Sequence, residues 1–419
     1  MNNHSSSFIG DQNECPSRIM KKHSTQSQRR TLVVISAITL ATDPTRADTL
    51  YWNPPGSSGA ITTATNNWYN ADSGSQVAAG GSSSADSLRF AGTGTNSKDA
   101  PSSMSIGSTI GFTSMTFEDG FNPTNTSTIS HNSSNNYYFR MQPGWSLNNN
   151  ASSGVVSFGA TNSGEFNFAM NGNGTVHVAT GAGILVGSGV SLQNQSSIAT
   201  GGFTKTGNGT LTLSGANSYT GATVVSGGTL VINGNQSGAT GDVTVQSGAT
   251  LAGSGTIGGA TTIQAGGIHG PGNSPGLQTF SGDLSYSDDS IFAWELGSET
   301  TSGRGTAFDA VNVGGSLTVG DAVFRVIVSG LDLGSEFWDS PLLDWDVFNT
   351  ASSGAFTQFE LYDSGDLMTA IDFSGHGSFS FDSATGNLQW SAIPEPSSAL
   401  AGTLIAAGLL RRRRKPLAA

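Results

Sequence analysis

Ser274 stands in Gly272-Asn273-Ser274-Pro275-Gly276, the G-x-S-x-G spacing that hydrolases use to raise a serine nucleophile on a sharp turn. That chemistry needs the residue after the serine to donate its backbone N–H to the developing oxyanion, and Pro275 has none. Ser274 is therefore read as a turn residue. Gly253-Ser254-Gly255-Thr256-Ile257-Gly258 fits the G-x-G-x-x-G spacing of dinucleotide sites, but β-branched, Gly-rich sequence follows where that motif needs a helix. In a chain with 58 glycines both patterns are expected by chance. Beyond residue 47 the histidines are His131, His177, His269 and His376, all isolated, and none has the i, i+4 spacing that seats a metal on a helix. No metal site and no cofactor are predicted. Asp288-Asp289 and Asp339, Asp344 and Asp346 could offer oxygens to Ca²⁺. They lack the repeated Asp spacing of calcium-binding solenoids and are read as solvated surface charge.

Charge narrows the chemistry further. Between Asp48 and Pro396 there are 26 acidic residues and six basic ones, Arg89, Lys98, Arg140, Lys205, Arg304 and Arg325. A body this acidic repels phosphates, so nucleic acid is not an expected partner. A polysaccharide lyase, which needs a basic catalytic residue, is poorly supplied, while a glycosidase needs paired carboxylates on one face. Cys15 is the only cysteine, so no disulfide framework or cysteine-based metal site is available.

The strands that must position any site are short and numerous. Only 11% of residues are charged against roughly 25% in ordinary globular chains, and Gly, Ser, Thr and Asn separate brief Val, Ile, Leu and Phe runs. Val224-Val225-Ser226-Gly227-Gly228-Thr229-Leu230 lines up with Val245 to Leu251 and again with Ile263 to His269; Gly209-Thr210-Leu211 precedes them. A period of 18–21 residues suits one coil of a β-solenoid. Thr210-Leu211-Thr212-Leu213 alternates, so Leu211, Leu230 and Leu251 are predicted to stack in register, with Gly pairs at the corners. His269 takes the slot of those leucines, and the acidic excess rises after Pro271. Both predict that regular stacking ends there.

The stretch Lys205-Thr206-Gly207-Asn208-Gly209-Thr210-Leu211-Thr212-Leu213-Ser214-Gly215-Ala216-Asn217-Ser218-Tyr219-Thr220-Gly221, followed by the strand from Ser226 to Gly234, resembles the autotransporter-associated β-strand repeat. Gly270 to Gly276 resembles a segment that often follows it. The resemblance implies a parallel β-helix displayed outside the cell. The chain departs from autotransporters in lacking a C-terminal run of amphipathic strands, so no outer-membrane barrel is expected. Upstream, Tyr51-Trp52-Asn53 and Trp68-Tyr69-Asn70 either stack on sugar rings or cap the open solenoid, and capping is favoured. Leu388-Gln389-Trp390 is expected to close the fold.

Both ends read as routing signals. Lys21 to Arg30 is basic, Thr31 to Ala41 is apolar, and Thr45-Arg46-Ala47 offers small residues before a cut between Ala47 and Asp48. That order predicts a secretory signal peptide. Met20 is a more natural start for it than Met1, and the general export route is favoured over the loose twin-arginine fit at Arg29-Arg30. At the other end Pro394-Glu395-Pro396 precedes an uncharged run, Ser397 to Leu410, and then Arg411, Arg412, Arg413, Arg414 and Lys415. The run reaches ~21 Å as a helix against a ~30 Å hydrocarbon core, so it spans only with its flanks or in a thinned bilayer. The basic block stays cytoplasmic by the positive-inside rule. This three-part order resembles the PEP-CTERM sorting tail of Gram-negative bacteria. The resemblance implies that an exosortase cuts near Pro394, Glu395 and Pro396 after transient anchoring in the inner membrane.

The expected organisation is a leader over 1–47, a β-rich capping region over 48–200 and the repeat over 201–270. An acidic β region over 271–392 and the sorting tail over 393–419 follow. The fold class is all-β, a parallel β-helix or β-solenoid, flanked by a signal peptide and a C-terminal membrane helix. The function read from it is a non-enzymatic surface or matrix protein, with extracellular polysaccharide as a candidate partner. The alternative is a secreted polysaccharide-active β-helix enzyme or carbohydrate-binding adhesin.

Overall fold

The computed structural model describes residues 49–52, 60–61, 68–70, 75–77, 86–90, 103–106, 108–119, 127–131, 136–160 and 166–393. These residues form strands and turns with no helix. The signal peptide with Ala47 and Asp48, and the tail from Pro394 to Lys415, lie outside them. No helix among the described residues is long and apolar enough to cross a membrane.

The chain winds through parallel faces. Face 1 takes Ser87–Phe90, Ile110–Phe117, Tyr137–Asn149, Gly174–Val178, Phe203–Thr206 and Thr223–Val225, then Val243–Val245, Thr261–Ile263, Leu284–Tyr286, Leu317–Val319 and Ser352–Ser353. Face 2 runs from Ser103–Ile106 through Thr210–Leu213, Gly228–Ile232, Ala249–Gly253, Ile268–Pro271, Ile291–Leu296 and Val323–Val328 to Gln358–Asp363. A short face 3 holds Asn235–Gln236, Thr256–Ile257, Leu277–Phe280 and Ala310–Val313. The coils alternate between faces 1 and 2, those from Asn235 to Val313 add face 3, and every neighbour within these runs is parallel, as solenoid stacking requires.

Strand alternation sends one residue in two to the core. On face 2 the inward ladder runs Ile184, Leu211, Leu230, Leu251, His269, Phe292, Phe324, Phe359. Leu211, Leu230 and Leu251 therefore stack as the repeat predicts, and all three are buried. The expected end of stacking at His269 is wrong. His269 pairs with Leu251 behind it and Phe292 ahead, and the coils continue to Gln358–Asp363. A histidine fits because Gln278 of its own coil and Tyr286 of the next supply polar partners inside the core. What changes after Pro271 is coil length. The first step, Ile184 to Leu211, is 27 residues; from Leu211 to His269 the steps are 19, 21 and 18, and beyond it 23, 32 and 35.

Antiparallel strands finish both ends. Thr49–Trp52, Trp68–Asn70 and Ser75–Val77 form the N-terminal edge of face 1. At the other end Leu343–Asp346, Asn387–Ala392 and Gly377–Asp382 make a three-stranded cap with Asn387–Ala392 in its middle. The strand expected from Leu388-Gln389-Trp390 thus closes the fold. Trp338, Trp345 and Trp390 are buried beneath the cap, each indole N–H bonded: to Glu299 Oε1 at 3.0 Å, Thr300 O at 2.8 Å and Trp338 O at 2.9 Å respectively.

Candidate functional site

The titratable groups fall into two sets, one inside the solenoid and one on its outer surface. Inside, Lys205 sits in the inward ladder of face 1 between Val176 and Val225. Its ammonium donates to the carbonyls of Thr206, Gly207 and Gly227 at 3.0, 2.8 and 3.0 Å, clamping the corner of its own coil to the next. Burial pulls its pKa down to about 8. Asn217, also buried, accepts the Leu192 N–H at 2.7 Å, and the Tyr219 hydroxyl meets Thr223 Oγ1 at 2.8 Å. Lys205 and Asn217 are therefore internal staples between coils, and Tyr219 braces its own coil, which residue type alone did not reveal.

His269 lies fully enclosed, with Nδ1 2.5 Å from the Tyr286 hydroxyl and Nε2 2.8 Å from Gln278 Oε1; the Gln278 amide donates onward to Ala252 O at 3.2 Å. Burial drives its pKa to about 4, so the ring is neutral at physiological pH. An enclosed neutral ring with both nitrogens occupied is a structural strut. His269→Leu should leave the Tyr286 hydroxyl and the Gln278 amide oxygen without this partner, lowering unfolding free energy by about 1–3 kcal/mol. An unchanged urea midpoint would show that the network adds nothing.

Ser274 has φ 62°, the left-handed conformation of a turn residue, and its hydroxyl donates to Glu295 Oε1 at 2.8 Å. Behind the turn Asp309 is buried, its two carboxyl oxygens accepting the Gly276 and Glu295 N–H groups at 2.7 and 3.0 Å. Only glycine fits at 272: φ is +89°, and a Cβ would meet Gly276 N at 2.4 Å and Asp309 Oδ1 at 2.6 Å. Burial outweighs the two N–H bonds and, helped by Glu295, pushes the Asp309 carboxyl up to about 8. This carboxyl anchors the turn rather than facing a groove.

The remaining candidates are dispersed. Asp288 Oδ1 accepts the Asp321 N–H, Asp344 Oδ1 accepts from Asn387 Nδ2, and Asp346 pairs with Arg304 at 3.3 Å. Among the described residues, no three His, Cys, Asp or Glu side chains come together to hold a metal. Arg325 pairs with Glu360 at 2.8 Å and Arg89 pairs with Glu118. Arg140 is exposed, and Lys98 lies outside the described residues.

The outer surface of face 1 carries an array that the sequence reading missed. Ser87, Ser114, Ser146, Thr175 and Thr204 are register partners in successive coils. After Val224 the row continues as Thr244, Thr262, Ser285, Thr318 and Ser353. Beside it runs Arg89, Thr116, Asn148, His177 and Thr206. Asn148 Nδ2 ties the two rows by donating to Ser146 Oγ at 3.1 Å, while within the second row it donates to Thr116 Oγ1 at 3.2 Å and His177 Nδ1 lies 3.0 Å from Thr206 Oγ1. At the N-terminal end the rows open into a polar depression of about 290 Å³ lined by Ser87, Arg89, Ser114, Thr116, Glu118 and Asn150.

Fold and surface together define a parallel β-solenoid with an apolar core, a few buried polar struts such as Lys205 and His269, and a hydroxyl-lined outer face. Residues 203–232 match the family model of the passenger-associated transport repeat, an autotransporter-type unit. The matched segment begins at the Lys205 clamp's strand and ends with the Leu230 coil. No curated protein matches the chain.

Proposed function

We propose that this chain is an exported, non-enzymatic display solenoid, sorted to the cell surface or extracellular matrix through its C-terminal tail. The observation that carries the reading is the transport-type repeat at 203–232 lying within a continuous parallel solenoid. Lys205 and His269 of that interior are engaged in bonds that join coils. In this reading Pro394, Glu395 and Pro396 form the cutting signal for an exosortase. Ser397 to Leu410 anchors the chain transiently in the inner membrane, and Arg411 to Lys415 stops transfer. The last described residue, Ile393, follows the central cap strand and donates its N–H to His376 O at 2.8 Å. The sorting segment would therefore leave directly from the folded cap.

Deleting residues 394–419 should abolish surface retention while leaving the solenoid folded. Mass spectrometry of the mature termini should find cuts after Ala47 and near Pro396. Normal retention of the truncated chain, or an intact C-terminus on the retained protein, would overturn the sorting reading.

A further inference from the structure

We propose that the outer surface of face 1 is a docking strip for a neutral polysaccharide, laid along the hydroxyl rows and anchored in the Arg89–Glu118 depression. The proposal deepens the display reading and rests on it for placing the strip where such a polymer is met.

The chemistry selects the ligand class. From Ser146 to Ser353 the main row holds no charged side chain, in a chain whose net charge is −12. Arg89, at the head of the second row, is matched by Glu118. An anionic polymer gains nothing from such a strip and meets the acidic surroundings, so an uncharged one is the complementary partner. A protein partner needs apolar or aromatic anchors that bury in pockets. The described strip has Val224 alone, whereas the aliphatic side chains Ile268, Ile291 and Val323 sit on the outer surface of face 2. Hydroxyls, Asn148 and His177 supply donors and acceptors side by side, as the hydroxyls of a sugar do.

Repetition supplies the strength. Successive coils lie about 4.7–4.9 Å apart, so a linear chain of sugars along the axis meets a new hydroxyl at every coil of the row but that of Val224. One net hydrogen bond is worth only about 1 kcal/mol, so a single sugar binds weakly and a polymer gains from many linked contacts. The threonines have restricted χ1, and the Asn148 and His177 bonds to Thr116 and Thr206 hold the second row, which reduces the ordering cost on binding. The depression, with Arg89 donating and Glu118 accepting, is shaped to take a terminal or branching sugar.

The test is affinity electrophoresis of the full chain in gels containing hydroxyethylcellulose, dextran or galactomannan, with alginate as the anionic comparison. At least one neutral polymer should retard the chain more than alginate does, and glucose should not compete at equal mass concentration. Thr175→Val, Thr204→Val, Thr244→Val and Thr262→Val together keep the β-branched shape and remove four hydroxyls. They should weaken apparent affinity by about tenfold or more. The same change at Thr210, Thr229 and Thr250, on the outer surface of face 2, should leave it unaltered. If the quadruple variant does not fold, Thr244→Lys alone should give a measurable loss. No retardation in any neutral gel, stronger retardation in alginate, or equal effects of the two variant sets would overturn the proposal. Normal surface retention of the chain lacking 394–419 would instead remove the sorting reading and leave polymer binding standing.

Discussion

Replacing Trp390 with alanine should lower the unfolding free energy by about 3–5 kcal/mol, the range for deleting a fully buried large aromatic. Trp390 has no solvent exposure and lies on the central cap strand. Its ring meets Phe379 at 4.8 Å, Trp338 at 5.3 Å and Phe373 at 6.1 Å, and its N–H holds Trp338 O at 2.9 Å. Gly377 is tailored to it, because a Cβ there would come within 2.4 Å of the indole. The second effect concerns the last coil. Phe359, at the end of the face 2 ladder, stacks on Phe379 of the cap at 6.2 Å, and Leu361 O accepts the Ile371 N–H at 2.7 Å. Loosening the cap bares the end of the core and the edge of Gln358–Asp363, which invites strand pairing between copies. Trp390→Ala should therefore show both a lower denaturant midpoint and concentration-dependent association by light scattering. Trp390→Phe should recover most of the stability. An unchanged midpoint for the alanine variant would mean that the cap contributes nothing to the solenoid.

The sequence made one part of this architecture visible and hid the rest for a physical reason. Where coils carry no insertions, as from Leu211 to His269, stacked residues recur at 18–21 and the ladder can be read by eye. Longer coils shift the phase, so Phe292, Phe324 and Phe359 join the same ladder without any readable period. The hydroxyl row suffers more. Its steps range from 18 residues, Thr244 to Thr262, to 35, Thr318 to Ser353, so its members look unrelated in the chain. The alternating Ser or Thr between apolar residues in each strand was the available signal. Lys205 and His269 were hidden differently: their type suggests surface or catalysis, and only the coiled structure brings Gly227 and Tyr286 of the neighbouring coils to satisfy them in the core. The acidic excess after Pro271 has a structural use. Longer coils expose more turn N–H groups, and Asp283 and Asp288 accept those of Ser316 and Asp321 across coils.

Asp309, His269 and Lys205, all buried, together predict an unusual pH profile, with a local stability minimum near pH 8. Asp309 has a folded pKa raised from 3.8 to about 8, so between those values the folded chain holds a proton that the unfolded chain has lost. Its contribution therefore falls as pH rises through that window. His269 acts in the opposite sense. Its folded pKa is lowered from 6.5 to about 4, the unfolded chain holds the extra proton between them, and stability rises with pH until about 6.5. The two slopes oppose each other from about pH 4 to 6.5, and Asp309 acts alone from there to about pH 8. The fall over that interval should be about 2 kcal/mol, at 1.36 kcal/mol per unit. Above about pH 8 the depressed Lys205 takes over. The unfolded chain then holds a proton that the folded chain has released, and stability recovers toward pH 10.5. Tyr219, raised to about 12, and Tyr286, also raised, end the recovery above pH 10 because the folded chain keeps phenol protons that the unfolded chain loses. Urea unfolding at half-unit steps from pH 4 to 10 checks the shape. Asp309→Asn should remove the fall between 6.5 and 8 and uncover the His269 rise below it, while Lys205→Met should remove only the recovery. A wild-type profile flat or rising from 6.5 to 8 would mean that Asp309 is ionised in the fold, held by the Gly276 and Glu295 N–H groups despite its burial.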